Sequence, residues 1–444
     1  MRVEWLLVRF NRALIDERKA LLMNVSAQDS GFRWLVLISA VLGYITVQVA
    51  NLSVAPVLPQ IAESLHLDLG AASNLIMTTF LFSACVTMMV VGGLVCDRLG
   101  VIAAIIAGTF CGASPMALMP LLGHSAAAVA WLRIVEGCSS GFMFPAMGSI
   151  IGLWFPERQR GLAGGLMGAS VAAGSAAGVL LGPAVLPHVA SWQAMSAVLS
   201  IVGWVGFAFA VVLSLLPKPK VATHKGAANA AAFKQALLSP VTLLGALSTF
   251  MALWGMQCLY NLTPTFLAAD KPVGVGYGAM TAGQLMLGVT LLGGILGPVV
   301  CGILLDHVFK GNARIVLSLG FVLMAVFVYV LTLPAVTGNV PILEVSLTLA
   351  GFGVQFAIPT IYYMIAKVYA PEIVGKMSGI WLGIGTFGGA VGLYVAGITV
   401  GSQNSYRTTL IVQSLAAVTG FLLVIGLGYA QKSKSIPQMS HSAR

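Results

Sequence analysis

The sequence predicts an all-α integral membrane protein with twelve transmembrane helices in two pseudo-symmetric six-helix bundles. Three observations predict this fold class: a shortage of charge, about twelve apolar runs of membrane-spanning length, and an internal repeat. Charged residues make up 8% of the 444 residues and hydrophobic residues 58%, whereas a soluble domain carries about 25% charged residues. So few charges cannot cover a soluble surface, and the chain therefore needs the bilayer as its solvent.

The apolar runs reach the length of about 20 residues that a helix needs to cross the hydrocarbon core. They are expected near residues 33–55, 72–95, 101–121, 126–154, 161–186, 193–216, 238–267, 277–304, 314–336, 341–369, 376–400 and 406–430. One longer polar gap, with Lys218, Lys220 and Lys225, separates six runs from six. The predicted organisation is an N-terminal segment 1–32, a first bundle 33–216, a linker 217–237, a second bundle 238–430 and a tail 431–444.

Matching features occupy corresponding places in the two halves. The second run of each half ends in a glycine followed four residues later by an aspartate: Gly93 with Asp97, and Gly302 with Asp306. The fourth run of each half has an internal proline and is followed by a Pro-Glu pair and a glycine: Pro145, Pro156, Glu157 and Gly164, then Pro359, Pro371, Glu372 and Gly379. Matches in register indicate a duplicated six-helix unit, which is an internal repeat found in many transporters.

The positive charges predict the orientation. With the N-terminus inside, all 23 lysines and arginines fall in cytoplasmic segments except Lys271, Arg407 and the membrane-embedded Arg133. This asymmetry follows the positive-inside rule and supports an even number of helices, with both termini and the linker in the cytoplasm. The expected location is a bacterial cytoplasmic (inner) membrane. The N-terminal segment has no signal-peptide core, and it is expected either to be a solvated tail or to lie along the membrane surface.

Several function classes are disfavoured. The net charge of +10 comes without a basic stripe interleaved with aromatic residues, so a nucleic-acid partner is not expected. The six cysteines form no CxxC pair and predict neither a disulfide framework nor a metal site. The sequence contains no Ser/His/Asp arrangement and no phosphate-binding loop, so an enzyme is not expected. The expected partners are a small-molecule solute, protons and the lipid bilayer, for a monomer without cofactor or metal.

The loop after the second run carries a recognisable pattern. Gly93, Asp97, Arg98 and Gly100 are spaced as in a short cytoplasmic loop of the major facilitator superfamily, and the chain resembles that family over residues 33–430. Val101 and Ile102 stand where the family usually has two basic residues.

The resemblance implies a conformational latch at the cytoplasmic side. Asp97 would sit against the start of helix eleven, near Lys376 and Gly379, where a carboxylate can face the positive helix N-terminus. Asp306, which follows Gly302, would do the equivalent task opposite helix five. The alternative interpretation is that both acids only terminate their helices.

Arg133 and Glu136 form a charged pair well inside the fourth run. An unpaired charge there costs commonly about 3 kcal/mol, and the i,i+3 spacing allows the two side chains to pair on one helix face. Two interpretations stay open. Glu136 is the preferred proton carrier of a proton-coupled transporter, or the pair is a permanent salt bridge that orders helix four against helix one or two.

Polar residues on the helices expected to line a central cavity are the candidates for contacting the solute. They are Gln48, Asn51, Asn74, Gln257, Tyr260, Asn261, Gln284, Gln355, Tyr362 and Tyr363. About half should bridge helices instead, because amides in lipid need partners. Relatives that carry organic phosphates or nitrate use arginines inside helices one, two, seven or eight, and this chain has none there. A neutral or weakly acidic organic solute is therefore favoured, with Arg133 available for a single carboxylate.

The leading functional hypothesis is a secondary transporter that works by alternating access and is proton-coupled. A first alternative is a proton-exchanging exporter of drugs or metabolites, for which Gly178, Gly182 and Pro183 form only a partial motif. A second alternative is a sensor or scaffold that does not transport.

Overall fold

In a computed structural model that describes residues 31–216, 230–369, 371–403 and 405–435, twelve helices are long and apolar enough to cross a membrane. They are Phe32–Leu52 (α1), Leu69–Cys96 (α2), Val101–Leu122 (α3), Ala126–Trp154 (α4), Leu162–His188 (α5), Trp192–Leu215 (α6), Pro240–Ala268 (α7), Gly278–Val308 (α8), Ala313–Val330 (α9), Val340–Ile365 (α10), Met377–Gln403 (α11) and Tyr406–Tyr429 (α12). The predicted all-α fold of twelve spanning helices is confirmed. The predicted N-terminal segment and most of the linker and tail lie outside the described residues.

Particular side chains explain where one helix begins and another ends. The Asp68 carboxylate accepts a hydrogen bond of 2.9 Å from the Ala71 amide, so α2 begins earlier than the apolar run. At the other extreme, α9 ends at Val330, short of the predicted 336, because Pro334 cannot continue it and instead starts the short helix Pro334–Thr337. Apolar composition alone could not locate these two boundaries.

The two halves pack by the same scheme, which agrees with the repeat seen in the sequence. In the first half, α1 packs on α5 and α6, α4 packs on α2 and α3, and α3 packs on α6. In the second half, α7 packs on α11 and α12, α10 packs on α8 and α9, and α9 packs on α12. Each pair in one half has its counterpart six helices later in the other half. The duplication is therefore one of packing geometry as well as of sequence letters.

Helix irregularities also recur between the halves. The second helix of each half contains two π-helical turns: Asn74–Thr78 and Met88–Gly92 in α2, and Gly288–Leu296 and Leu304–Val308 in α8. Such turns are frequent at functional positions of helices. The α10 helix is interrupted at Phe356, three residues before Pro359, whose missing N–H breaks the helical hydrogen-bond ladder.

Two terms describe the ends of the bundle. The linker end is where α6 ends and α7 begins, and the far end is the opposite one, where α1 and α7 end. Near the far end the halves touch: the Thr265 hydroxyl donates a hydrogen bond of 2.6 Å to the Ala55 carbonyl. Helix α2 packs against α11 there, and α5 packs against α8. A Cβ atom added at Gly70 would overlap the backbone of Gly397 on α11.

At the linker end the halves are apart. A Cβ atom added at Gly93 on α2 would have no neighbour within 4 Å, nor would one at Gly379 on α11. The same is true of Gly168 on α5 and Gly302 on α8. The cleft between the halves is therefore closed at the far end and open at the linker end.

The close approach at Gly70 leads to a test. We expect Gly70→Ala to separate the halves at the far end, because the added methyl group meets backbone atoms that no side-chain movement can clear. The contact surface between the two halves is called the seam. Spin labels at the exposed residues Glu63 and Asp270, in a variant without native cysteines, report the distance across it.

The control is Gly148→Ala, since a Cβ there meets nothing within 4 Å. A longer label-to-label distance in Gly70→Ala alone is the expected result. The same distance distribution in all three proteins would contradict the closed seam.

Candidate functional site

The deepest charged groups described are the ion pair of α4. Arg133 and Glu136 are each 1% exposed, and Nη1 of Arg133 contacts Oε2 of Glu136. The i,i+3 spacing places both side chains on one face of the helix, as expected from the sequence. It is the only salt bridge that joins two of the described residues. The pair keeps two charges stable where either alone would be costly.

Arg133 also bonds to two other helices. Its Nε donates a 2.7 Å hydrogen bond to the Ile76 carbonyl of α2, and its Nη1 donates one of 2.9 Å to the Ala50 carbonyl of α1. The guanidinium carbon lies 4.7 Å from the centroid of the Phe80 ring, where a cation–π contact adds to the attraction. One side chain therefore ties α4 to α1 and α2, as the structural interpretation of the pair requires.

The pair nevertheless keeps unused hydrogen-bonding capacity. Nη2 of Arg133 and Oε1 of Glu136 are buried and have no hydrogen-bond partner. Unsatisfied buried polar atoms are rare, and each needs an explanation. A guanidinium nitrogen with a free N–H can hold an anion, and a carboxylate oxygen with a free lone pair can take a proton. The geometry is therefore compatible with the coupling interpretation as well.

The predicted cavity residues of the first half mostly bond within that half. Gln48 of α1 donates a 2.6 Å hydrogen bond to the hydroxyl of Ser175 on α5. The Asn74 carboxamide oxygen accepts from Thr78, one turn further along α2. Asn51 is buried at 6% exposure. Gln48 thus bridges two helices, as expected for about half of the candidates.

In the second half, two predicted residues form a pair one turn apart on α7. The Asn261 amide nitrogen donates to the Gln257 carbonyl at 3.0 Å, while its Oδ1 is buried without a partner. Gln257 packs against Gly389 of α11, close to Leu81 of α2, so it lies at the seam between the halves. The neighbouring Tyr260 is buried. Asn74 of the first half likewise packs against Gly397 of α11, so predicted polar residues of both halves lie where the halves meet.

The remaining candidates are dispersed. Gln284 is exposed on α8, and Gln355 packs beside Gly297. Tyr362 and Tyr363 lie in the last turn of α10, at the linker end, where the Tyr363 hydroxyl packs against Gly311. The ten predicted residues therefore do not form a single cluster.

The predicted latch residues lie at the open linker end. Asp97 and Arg98 are in the last turn of the helix that follows Gly93, and Gly100 ends that helix with a positive φ of 88°, which glycine adopts without strain. Arg98 and Asp306 are exposed. The side chains of Asp97 and Lys376 lie outside the described part of the structure. The latch stays a prediction.

Sequence reasoning missed several residues that join helices, some across the seam and some within one half. Besides Thr265, the Cys85 thiol of α2 donates to the Gly383 carbonyl of α11 at 3.5 Å. Within the first half, the buried Tyr44 hydroxyl donates to the Met143 carbonyl at 2.6 Å. The abundance of glycine on α5 and α11 was the available signal, because small residues let helices approach closely. Which residue faces each glycine could not be read from the sequence.

Comparison with known proteins agrees with this architecture. The chain is 24% identical to the probable galactarate/D-glucarate transporter GarP of Escherichia coli over 67% of its length and 72% of that protein. It is 32% identical to the galacturonate transporter of Dickeya chrysanthemi, over 37% of its own length and 46% of that protein. The chain also superposes on a solved structure with a TM-score of 0.69 at 14% identity, over 91% of its own length and 98% of the other chain. That structure is a bacterial homologue of the human lysosomal transporter Spinster in an inward-facing and unoccupied conformation.

Two six-helix repeats that meet along a central seam define a membrane transporter of the secondary type. The family model of the Major Facilitator Superfamily matches residues 36–311 and 273–441. The chain belongs to the Major Facilitator Superfamily, and it is a multi-pass membrane transporter of small solutes.

The ion pair can be tested by stability. Arg133→Met should lower the free energy of unfolding by about 3–5 kcal/mol, because it leaves the Glu136 carboxylate buried without a counter-ion. The double variant Arg133→Met/Glu136→Leu should recover most of that loss, since no charge then remains. Thermal unfolding in detergent measures both effects.

Arg98→Met is the matched control, since Arg98 is exposed, and it should unfold like the wild type. A double variant no more stable than Arg133→Met would show that the pair is not the unit that matters.

Proposed function

We propose that this transporter carries a small organic acid with a single carboxylate, together with a proton, by alternating access. The observation that carries the proposal is the buried Arg133–Glu136 pair with one free donor and one free acceptor. No other charge pair inside the membrane is available in the described residues to hold a solute anion or a proton.

Two kinds of observation support an acidic solute. The relatives are named for sugar acids: GarP for galactarate and D-glucarate, which have two carboxylates, and the galacturonate transporter for galacturonate, which has the single carboxylate proposed here. Arg133 is the one described cation away from the ends of the spanning helices. A single guanidinium suits one carboxylate, because it can donate two parallel hydrogen bonds to it. A multiply charged anion would lack a second cation.

The pair also supplies a physical reason for coupling. If Glu136 takes a proton, Arg133 is left as a buried cation without its counter-ion, which is strongly unfavourable. A solute carboxylate that replaces Glu136 at Arg133 removes this penalty. Conversely, a carboxylate arriving beside an ionised Glu136 would be repelled. Proton and solute anion therefore favour each other's binding and cross the membrane together.

The direction of opening follows from charge. Among the described residues the lysines and arginines collect at the linker end, while Lys271 and Arg407 lie at the far end. By the positive-inside rule the linker end faces the cytoplasm. The open cleft is then the cytoplasmic one, in a bacterial inner membrane, and one chain contains the whole pathway. Closing this end would bring Asp97 to the start of α11 and Asp306 to α5 as a latch.

The coupling role of Glu136 has a direct test. In proteoliposomes with a pH gradient, wild-type protein should accumulate galacturonate, a sugar acid with one carboxylate. Glu136→Gln should abolish accumulation, because the amide cannot carry a proton, but it should leave solute exchange without a gradient intact.

Glu344→Gln, at an exposed glutamate of α10, is the control and should accumulate normally. Unchanged accumulation in Glu136→Gln would remove Glu136 from the coupling role. If neither a sugar carboxylate nor any other organic acid enters wild-type vesicles, the proposed solute class is wrong.

The latch predicts a shift in conformation. A carboxylate at a helix N-terminus contributes typically 0.3–1 kcal/mol, so losing each acid should reduce the population closed at the linker end up to about fivefold. Spin labels at the exposed residues Leu162 and Val308, on opposite halves, measure this population in Asp97→Asn, in Asp306→Asn and in both together.

Asp270→Asn, at the exposed far end, is the control. Unaltered populations and full transport in the double variant would count against the latch.

A further inference from the structure

A cavity of about 300 Å³ opens at the linker end of the second half, away from the seam and from the Arg133–Glu136 pair. Its walls come from the loop between α8 and α9, the start of α9, the last turn of α10 and the residues directly after it. The lining residues are Lys310, Gly311, Asn312, Ala313, Arg314, Tyr363, Met364, Lys367 and Val368. The cavity has no part in the transport mechanism described above.

The lining is basic and contains no acidic side chain. Lys310 and Arg314 come from one stretch of the chain and Lys367 from another, and all three line this one concavity. None of them forms a salt bridge with another residue that the structure describes, since the one such bridge joins Arg133 to Glu136. Three unneutralised cations around a cavity leave a strongly positive potential there.

The local structure holds the two lysines in place. Lys310 and Gly311 both have positive φ angles, 48° and 79°, so the loop turns sharply before α9. The Lys367 ammonium lies 5.7 Å from the centroid of the Tyr363 ring, and the Tyr363 hydroxyl packs against Gly311. The aromatic ring thus connects Lys367 to the turn that carries Lys310.

The beginning of α9 adds a second attraction for an anion. Asn312, the residue before this helix, makes no side-chain capping bond, and the Ala313 and Ile315 N–H groups donate only to the backbone carbonyls of Gly311 and Asn312. The positive end of this 18-residue helix faces the same cavity as the cations. The cavity also lies where two spanning helices leave the membrane, which is the depth of lipid headgroups.

We propose that this cavity is a binding site for a phosphate group, supplied either by the headgroup of an anionic phospholipid or by a free phosphate. Basic pockets between helices on the cytoplasmic side are suited to such headgroups. A general excess of positive charge at this side would explain exposed, separate lysines. It would not explain three unpaired cations and a helix N-terminus around one cavity.

The test measures thermal stabilisation of the purified protein in nanodiscs of neutral phosphatidylcholine. One arm adds phosphatidylglycerol in increasing fractions, and the other adds inorganic phosphate; a ligand that binds the native state raises the unfolding temperature. Wild-type protein should be stabilised in at least one arm. Lys310→Gln and Lys367→Gln should each lower the affinity for that ligand about fivefold.

Lys367→Arg keeps the positive charge and should bind the ligand like the wild type, unlike Lys367→Gln. Lys234→Gln, at an exposed lysine of the same end, should also bind like the wild type. Stabilisation by phosphatidylglycerol that depends on these lysines identifies a lipid headgroup as the ligand. Lysine-dependent stabilisation by inorganic phosphate alone identifies a soluble ligand. Either result supports the site. No stabilisation in either arm, or stabilisation that is equal in wild type and the lysine variants, overturns it.

Discussion

The bilayer offers no hydrogen-bond partners, and this constraint governs the whole molecule. It forces the backbone into helices that satisfy their own N–H and C=O groups, and it makes every polar side chain inside the membrane dependent on a partner from the protein. Arg133 meets this demand with the Glu136 carboxylate and two carbonyl oxygens from neighbouring helices. This polar link between three helices of the first half is thus made where an unpaired charge would be costly.

The same constraint shapes the contact between the halves. Lipid tails are as apolar as the helices, so tight packing has to supply the attraction that the hydrophobic effect supplies in water. Gly70 and Gly397 permit backbone contact at the far end, and the Thr265–Ala55 hydrogen bond closes it. At the linker end, Gly93 and Gly379 face open space. Small residues that pack at one end and stand free at the other suit halves that rock about a central seam.

The sequence was sufficient for the fold because hydropathy and charge asymmetry are properties of single segments. The spans, their number and the repeat could all be predicted, although the end of α9 moved at Pro334. The site was predicted only in part. Arg133 and Glu136 could be paired from their spacing, but the carbonyl groups that hold Arg133 belong to other helices. Likewise, Tyr363 belongs to a basic cavity at the linker end rather than to the centre, because its place depends on where α10 ends.

The central claim, that solute passes as the two halves alternately separate at either end, can be tested by joining them at the far end. Ala55→Cys and Thr265→Cys, linked by a short bifunctional thiol reagent, span the seam where the hydrogen bond now lies. The account predicts that the link stops transport, that cleaving it restores transport, and that a link between Tyr277→Cys and Thr337→Cys, within one half, leaves transport intact. Full transport by protein that is linked across the seam would contradict it.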